Sequence, residues 1–149
     1  MLKICVIHGP NLNLLGEREP QVYGAMTLND LNDAVSNAAD ELGIQVTFYQ
    51  SNHEGEIIDF LHDSRNKVDG IVINPAAFTH YSYALRDALA AIELPTVEVH
   101  LSDIYNREKF RRHSVTREVC LAQFSGKGLD SYLDGLSYLI KSIRNNNKG

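Results

Sequence analysis

The feature that most constrains the fold is an alternation of short apolar runs with longer segments of helical period. Lys3 to Ile7, Ile44 to Tyr49, Gly70 to Ile73, Thr96 to Leu101 and Val119 to Phe124 are mostly apolar and, at their clearest, rich in Val and Ile with little alternation, the signature of strands buried on both faces of a parallel sheet. After the first run, Thr27 with Asp30 forms a capping arrangement, and Leu28, Leu31, Val35, Ala38, Ala39 and Leu42 recur at helical spacing until Gly43 stops the helix. A second helix opens over Ser51 to Glu54 and turns Ile57, Ile58 and Leu61 toward the sheet; a third spans Tyr83 to Ile92 and stops before Pro95. The last places Leu129, Tyr132, Leu133, Leu136, Leu139, Ile140 and Ile143 on one stripe, with a frayed tail expected at about residues 145–149. Strands alternating with helices through right-handed crossovers predict an α/β, flavodoxin-like open five-stranded parallel sheet, order 2-1-3-4-5, with helices on both faces.

Composition bounds what such a domain can do. The 149 residues fit a single domain with one core. A net charge of −5 argues against a nucleic-acid surface, which needs a basic face to neutralise phosphates. Cys5 and Cys120 each sit in an apolar run without a spacing motif, so buried thiols are expected rather than a disulfide framework or a metal site. No apolar run approaches the length needed to cross a bilayer and no signal-like start is visible, so a soluble cytoplasmic protein with no membrane partner is expected.

One stretch does not fit the alternation. HGPNLNLLGEREPQVYG, from His8 to Gly24, is long for a connection in a compact domain, yet Leu12, Leu14, Leu15, Val22 and Tyr23 give it apolar anchors, so an ordered functional loop is expected. Open parallel sheets bind ligands beyond the carboxyl ends of their strands, at the switch point beside the first strand. That rule collects His8, Gly9 and Asn11 after the first strand, Asn74 and His80 after the third, and Glu98, His100 and Ser102 on and after the fourth. Glu98 and His100 are two apart on a strand, so they share a face, where a carboxylate can orient and charge an imidazole for acid–base work. A histidine merely satisfied at a strand end is an equal alternative. His53, His62 and His113 read as surface or supporting residues, and a metal held by Glu98, His80 and His100 lacks any close-spaced ligand motif. Tyr23 reads first as a packing residue at the loop's end, because a tyrosine base needs its pKa lowered by about 3 units. Arg107, Arg111 and Arg112 suit either a carboxylated ligand or a solvated loop.

Five blocks, GPNLNLLGEREPQVYG, SNHEGEIIDFLH, GIVINPAAFTHYSYALRDAL, PTVEVHLSDIYNREKFRRHSV and SGKGLDSYLDGLSYL, together resemble the type II 3-dehydroquinate dehydratases along nearly the whole chain. Phe78, Tyr81, Asp103 and Tyr105 depart from the pattern at flanking positions. The resemblance implies a hydro-lyase that converts 3-dehydroquinate to 3-dehydroshikimate by anti elimination through an enolate, without cofactor or metal. It places Tyr23 as the base, Arg18 as the residue favouring tyrosinate, Asn11 as the holder of a water against the enolate oxygen, and His100 as the acid with Glu98 as its partner. Asn74, His80, Asp87, Leu101, Ser102 and Arg111 fall at substrate-binding positions, and Arg107 at a lid position that closes with Arg18 over a lid loop at about residues 9–26. It further implies a homododecamer built from trimers, with Asp87 reaching a neighbour's site.

Other classes fit less well. A receiver-type signalling domain needs an aspartate at the end of the third strand, where Asn74 stands. A nucleotide-binding module needs a glycine-rich turn that GPNLNLLG does not supply, and Gly126-Lys127-Gly128 is too short for a P-loop. A Schiff-base dehydratase would need a lysine at the rim, and none is there. The remaining alternative is a non-catalytic small-anion-binding protein on a flavodoxin-like scaffold.

Overall fold

A computed structural model describes residues 1–17 and 19–148; the side chains of Val22, Tyr23 and Lys148 fall outside that description. Strands β1 (Lys3–His8), β2 (Gln45–Gln50), β3 (Gly70–Asn74), β4 (Thr96–Val99) and β5 (Ala122–Phe124) form one parallel sheet in the order β2-β1-β3-β4-β5, as the alternation predicts. The helices are α1 (Pro20–Tyr23), α2 (Leu28–Leu42), α3 (Glu54–Asp63), α4 (Tyr83–Ile92) and α5 (Leu129–Lys148).

Side-chain alternation along the strands divides the core in two. Ile4 and Val6 of β1, Val72 of β3, and Val97 and Val99 of β4 pack with Leu31, Val35 and Ala39 of α2 and Tyr132, Leu136 and Leu139 of α5. Cys5, Ile7, Ile71 and Ile73 pack on the other face with Ile57 and Leu61 of α3 and Leu85, Ala88, Leu89 and Ile92 of α4. Thr27 and Asp30 close a reciprocal capping box on α2, and Gly43 ends that helix with left-handed backbone.

Several boundaries differ from the sequence expectation. The fourth strand ends at Val99 rather than Leu101, because its neighbours stop: β3 passes after Asn74 into a 3-10 turn over Ala76–His80, and β5 ends at Phe124. The fifth strand starts at Ala122 rather than Val119, because Arg117–Val119 form a 3-10 turn. The helix α5 runs past Arg144 to Lys148. The first loop is not wholly irregular, holding a 3-10 turn at Leu12–Leu14 and the single turn α1. Among the described residues no helix is long and apolar enough to cross a membrane.

Candidate active site

The first loop leaves β1 through a glycine that the geometry demands. A Cβ on Gly9 would lie 2.6 Å from the Pro75 carbonyl oxygen, and the Gly9 N–H donates to the Asn74 carbonyl at 2.8 Å, so the β1 and β3 connections cross in contact. Asn11 adopts left-handed backbone (φ 70), which asparagine tolerates, and donates its N–H to Asn52 Oδ1 at 2.9 Å. Gln50 braces the same turn by donating to the Gly9 carbonyl and to Asn52 Oδ1.

These turns, the β4 end and the segment after it enclose a cleft lined by Asn11, Asn74, His80, His100, Leu101, Ser102, Arg107 and Arg111, with Ile104 and Ala76 filling between them. Its free volume is about 40 Å3, where a single water needs about 10–15 Å3. Eight of the residues expected at the site therefore meet in one narrow space.

Beneath the cleft lies a fully buried carboxylate. Glu98 Oε2 lies 2.9 Å from His100 Nε2 and accepts from Ser114 Oγ at 2.9 Å and Gln123 Nε2 at 2.6 Å, while Thr116 Oγ1 donates to Oε1. Burial alone would raise the Glu98 pKa, but these hydrogen bonds, led by His100, outweigh it and hold the carboxyl at about 2. An ionised Glu98 is an acceptor only, so His100 Nε2 carries the proton facing it, and Nδ1 is the nitrogen available to a ligand. Ser114 and Thr116 have each committed a hydroxyl proton to Glu98, so Thr79 Oγ1, 2.8 and 2.7 Å from their oxygens, gives its one proton to one of them. Gln123 is oriented in turn by Tyr105, whose hydroxyl donates to Gln123 Oε1 at 2.6 Å and accepts from Arg117 at 3.0 Å.

His80 Nδ1 donates to the His113 carbonyl at 2.7 Å, which leaves Nε2 toward the cleft; its pKa is lowered, chiefly by burial. Past β4 the carbonyls of Leu101 and Ser102 accept from Gly128 and Gly126, which turns the chain back and leaves the Leu101 and Ser102 N–H groups with no protein acceptor among the described residues. Two adjacent amides without a protein acceptor are open to an anionic ligand. Arg111 pairs with Glu108 and stacks 4.8 Å over Phe110, and Arg112 donates to the Arg107 carbonyl. Arg107 Nη2 comes within 3.7 Å of Glu19 Oε2, so the second irregular segment touches the first loop.

One expected position needs correction. His8 ends β1 as the rim rule requires, but its side chain is wholly buried on the α2 and α5 face, between Tyr132 and Asn32, and does not line the cleft. Asp87 is exposed on α4 and lies outside the cleft of its own chain. Arg18 and the Tyr23 side chain lie outside the described residues. Sequence reasoning missed Thr79, Ser114, Thr116, Gln123 and Tyr132, which reach the site from distant points in the chain. Glu98 has its oxygens occupied by donors, and among the described residues no group of three or more His, Cys, Asp or Glu could hold a metal ion.

A carboxylate–histidine pair beneath a cleft bordered by arginines, at the switch point of a flavodoxin-like sheet, is the arrangement expected of an enzyme of acid–base chemistry. The comparisons make that class specific. The family model for dehydroquinase class II matches residues 2–140, and the chain belongs to this family. It is 53% identical over 144 residues to the 3-dehydroquinate dehydratase of Halothermothrix orenii, covering 97% of each chain, and 55% identical over 135 residues to that of Bacillus pumilus, covering 91% and 92%. The crystal structure of a type II dehydroquinase from Butyrivibrio crossotus superposes with a TM-score of 0.91 at 47% identity, covering 93% of this chain and 97% of that one.

Proposed function

We propose that this chain dehydrates 3-dehydroquinate to 3-dehydroshikimate, the hydro-lyase step of the shikimate pathway toward aromatic amino acids, with its acid at His100. The observation that carries this reading is the buried, ionised Glu98 against His100 Nε2 at the floor of a cleft with free amides. The substrate carboxylate sits on the Leu101 and Ser102 N–H groups, which brings the hydroxyl on the same carbon over the imidazole. Tyr23, as tyrosinate favoured by Arg18, removes the proton from the carbon next to the ketone, and the electrons move onto the ketone oxygen as an enolate. Asn11 holds a water against that oxygen. The enolate then collapses, the carbon–oxygen bond breaks, and His100 Nδ1 gives its proton to the departing hydroxyl, which leaves as water. Glu98 offsets the imidazolium charge before transfer and keeps the Nε2 proton in place after it. Asn74, His80 and Arg111 hold the substrate.

The first loop and the Arg107 segment both border the cleft, so substrate enters past them. The 3.7 Å approach of Arg107 to Glu19 supports a lid in which these two segments close together over bound substrate, excluding water. Asp87 acts on a neighbouring subunit's site within a homododecamer of trimers; the exposed Tyr81 and Tyr83, beside the start of its helix, support a subunit contact there. The enzyme works in the cytoplasm.

Formation of the conjugated enone, followed by ultraviolet absorbance with purified protein and 3-dehydroquinate, is the test. Absorbance should rise with wild type, and Tyr23→Phe should bind substrate with almost no turnover. No absorbance change with folded wild-type protein would reject the activity, and near-normal turnover by Tyr23→Phe would reject the base.

A further inference from the structure

On the α2 and α5 face of the sheet, a chain of buried hydrogen bonds runs from α2 to the cleft. His8 Nε2 lies 2.8 Å from Asn32 Oδ1, His8 Nδ1 lies 2.9 Å from the Tyr132 hydroxyl, and Asn74 Nδ2 donates to that hydroxyl at 3.1 Å. The Ala76 N–H donates to Asn74 Oδ1 at 3.0 Å. Proton accounting gives this chain one direction. A backbone N–H faces the Asn74 oxygen, so that atom is the carbonyl, and its amide nitrogen faces Tyr132. The Tyr132 oxygen therefore accepts from Asn74, and its own proton has one place to go, His8 Nδ1. That nitrogen is bare, so His8 carries its proton on Nε2 and donates it to Asn32. The opposite tautomer would leave the hydroxyl proton of Tyr132, 1% exposed, without an acceptor. His8 stays neutral in this setting, because burial pushes its pKa down to about 4.

Ala76 follows with left-handed backbone (φ 52), which its bond to Asn74 holds. The Asn74 carboxamide is thus tied at both ends, and its second N–H has no protein acceptor among the described residues while the residue lines the cleft.

We propose that Tyr132 and His8 are positioning residues for this reaction: they lock the Asn74 amide so that it meets a substrate oxygen with a fixed N–H donor. The proposal rests on the reading of Asn74 as a substrate-binding residue. Loss of the lock lets the amide turn and present its oxygen, which weakens binding of the substrate and leaves the proton transfers at Tyr23 and His100 untouched.

The test is a double-mutant cycle in steady-state kinetics with 3-dehydroquinate. Tyr132→Phe should raise KM about tenfold, change kcat by less than about threefold and leave the pH profile in place. In an Asn74→Ala background the same substitution should add nothing to KM. His8→Leu, which removes the acceptor for Tyr132, should raise KM in the same direction, and His8→Asn, whose amide oxygen can take the place of Nδ1, should restore it. Equal KM factors for Tyr132→Phe in both backgrounds would show a merely structural role and overturn the proposal. An Asn74→Ala variant with unchanged KM would remove the substrate-binding reading and the proposal with it. Nitrogen-15 shifts of His8 in the wild-type protein separate the two failures: a proton on Nε2 supports the hydrogen-bond chain whatever the kinetics, and a proton on Nδ1 overturns it.

Discussion

His8 and His100 come from the carboxyl ends of two strands of one sheet, and both are almost completely buried. What separates them is the face each side chain takes and the partner it meets there. His8 continues the alternation of Ile4 and Val6 and enters the α2 and α5 layer, where its neighbours are a hydroxyl and a carboxamide, neither of them charged. Burial without a counter-charge keeps the ring neutral. His100 continues the alternation of Thr96 and Glu98 on the other face, against a carboxylate held ionised by three further donors. Burial against a carboxylate fixes the ring's orientation and leaves Nδ1 to the cleft. A histidine at the functional rim of an α/β sheet is thus assigned its work by the charge beneath it, not by its distance from the ligand.

Three substitutions probe this difference through stability, each measured by urea unfolding at fixed protein concentration, which matters if subunits associate. The largest effect is expected from Glu98→Ala, which leaves three donors and the imidazole of a buried cluster without their acceptor and should cost about 3–5 kcal/mol. A loss under about 1 kcal/mol would mean that the cluster is not held together by its charge. His8 should make stability depend on pH. Its pKa falls from 6.5 in the unfolded chain to about 4 in the folded one, so between those values the unfolded state binds the extra proton. Stability should therefore decrease as pH falls from 6.5 to 4, by about 3 kcal/mol in all from this group. His8→Asn should flatten that slope, and an unchanged slope would show that the titrating group lies elsewhere. Glu98 contributes in a lower window: its stabilisation is present above 4.5 and fades as pH falls toward 2. The smallest effect belongs to Thr116→Val, which removes one hydroxyl donor from Glu98 and should cost about 1 kcal/mol.

The sheet order was legible because the alternation of apolar runs and helical stripes is itself the physical cause of a parallel sheet covered on both faces. The pairing of Glu98 with His100 was legible because a two-residue spacing on a strand fixes a shared face. His8 stands at the rim as expected, but parity with Ile4 and Val6, legible in the sequence, turns its side chain into the α2 and α5 layer and away from the cleft. Ser114, Thr116 and Gln123 could not be found that way, since they lie 16 to 25 residues beyond Glu98 and meet it only once β5 and the preceding turns are placed. Tyr132 looked like one more member of the α5 stripe, and its hydroxyl became meaningful only when Asn74 and His8 were seen to share it. Roles for Asn11, Tyr23 and Arg18 came from the family resemblance, because nothing in spacing separates a base from a packing tyrosine.

The central claim of the proposed mechanism is that the Glu98–His100 pair beneath the cleft, and not the neutral histidine behind it, carries proton transfer. Turnover of 3-dehydroquinate by His100→Ala, set beside His8→Asn in the same enone absorbance assay, tests it most directly. The expected result is a fall in kcat of about a hundredfold or more for His100→Ala in a folded protein, with His8→Asn within about threefold of wild type. An unchanged kcat in His100→Ala, or an equal loss in both variants, would contradict the account.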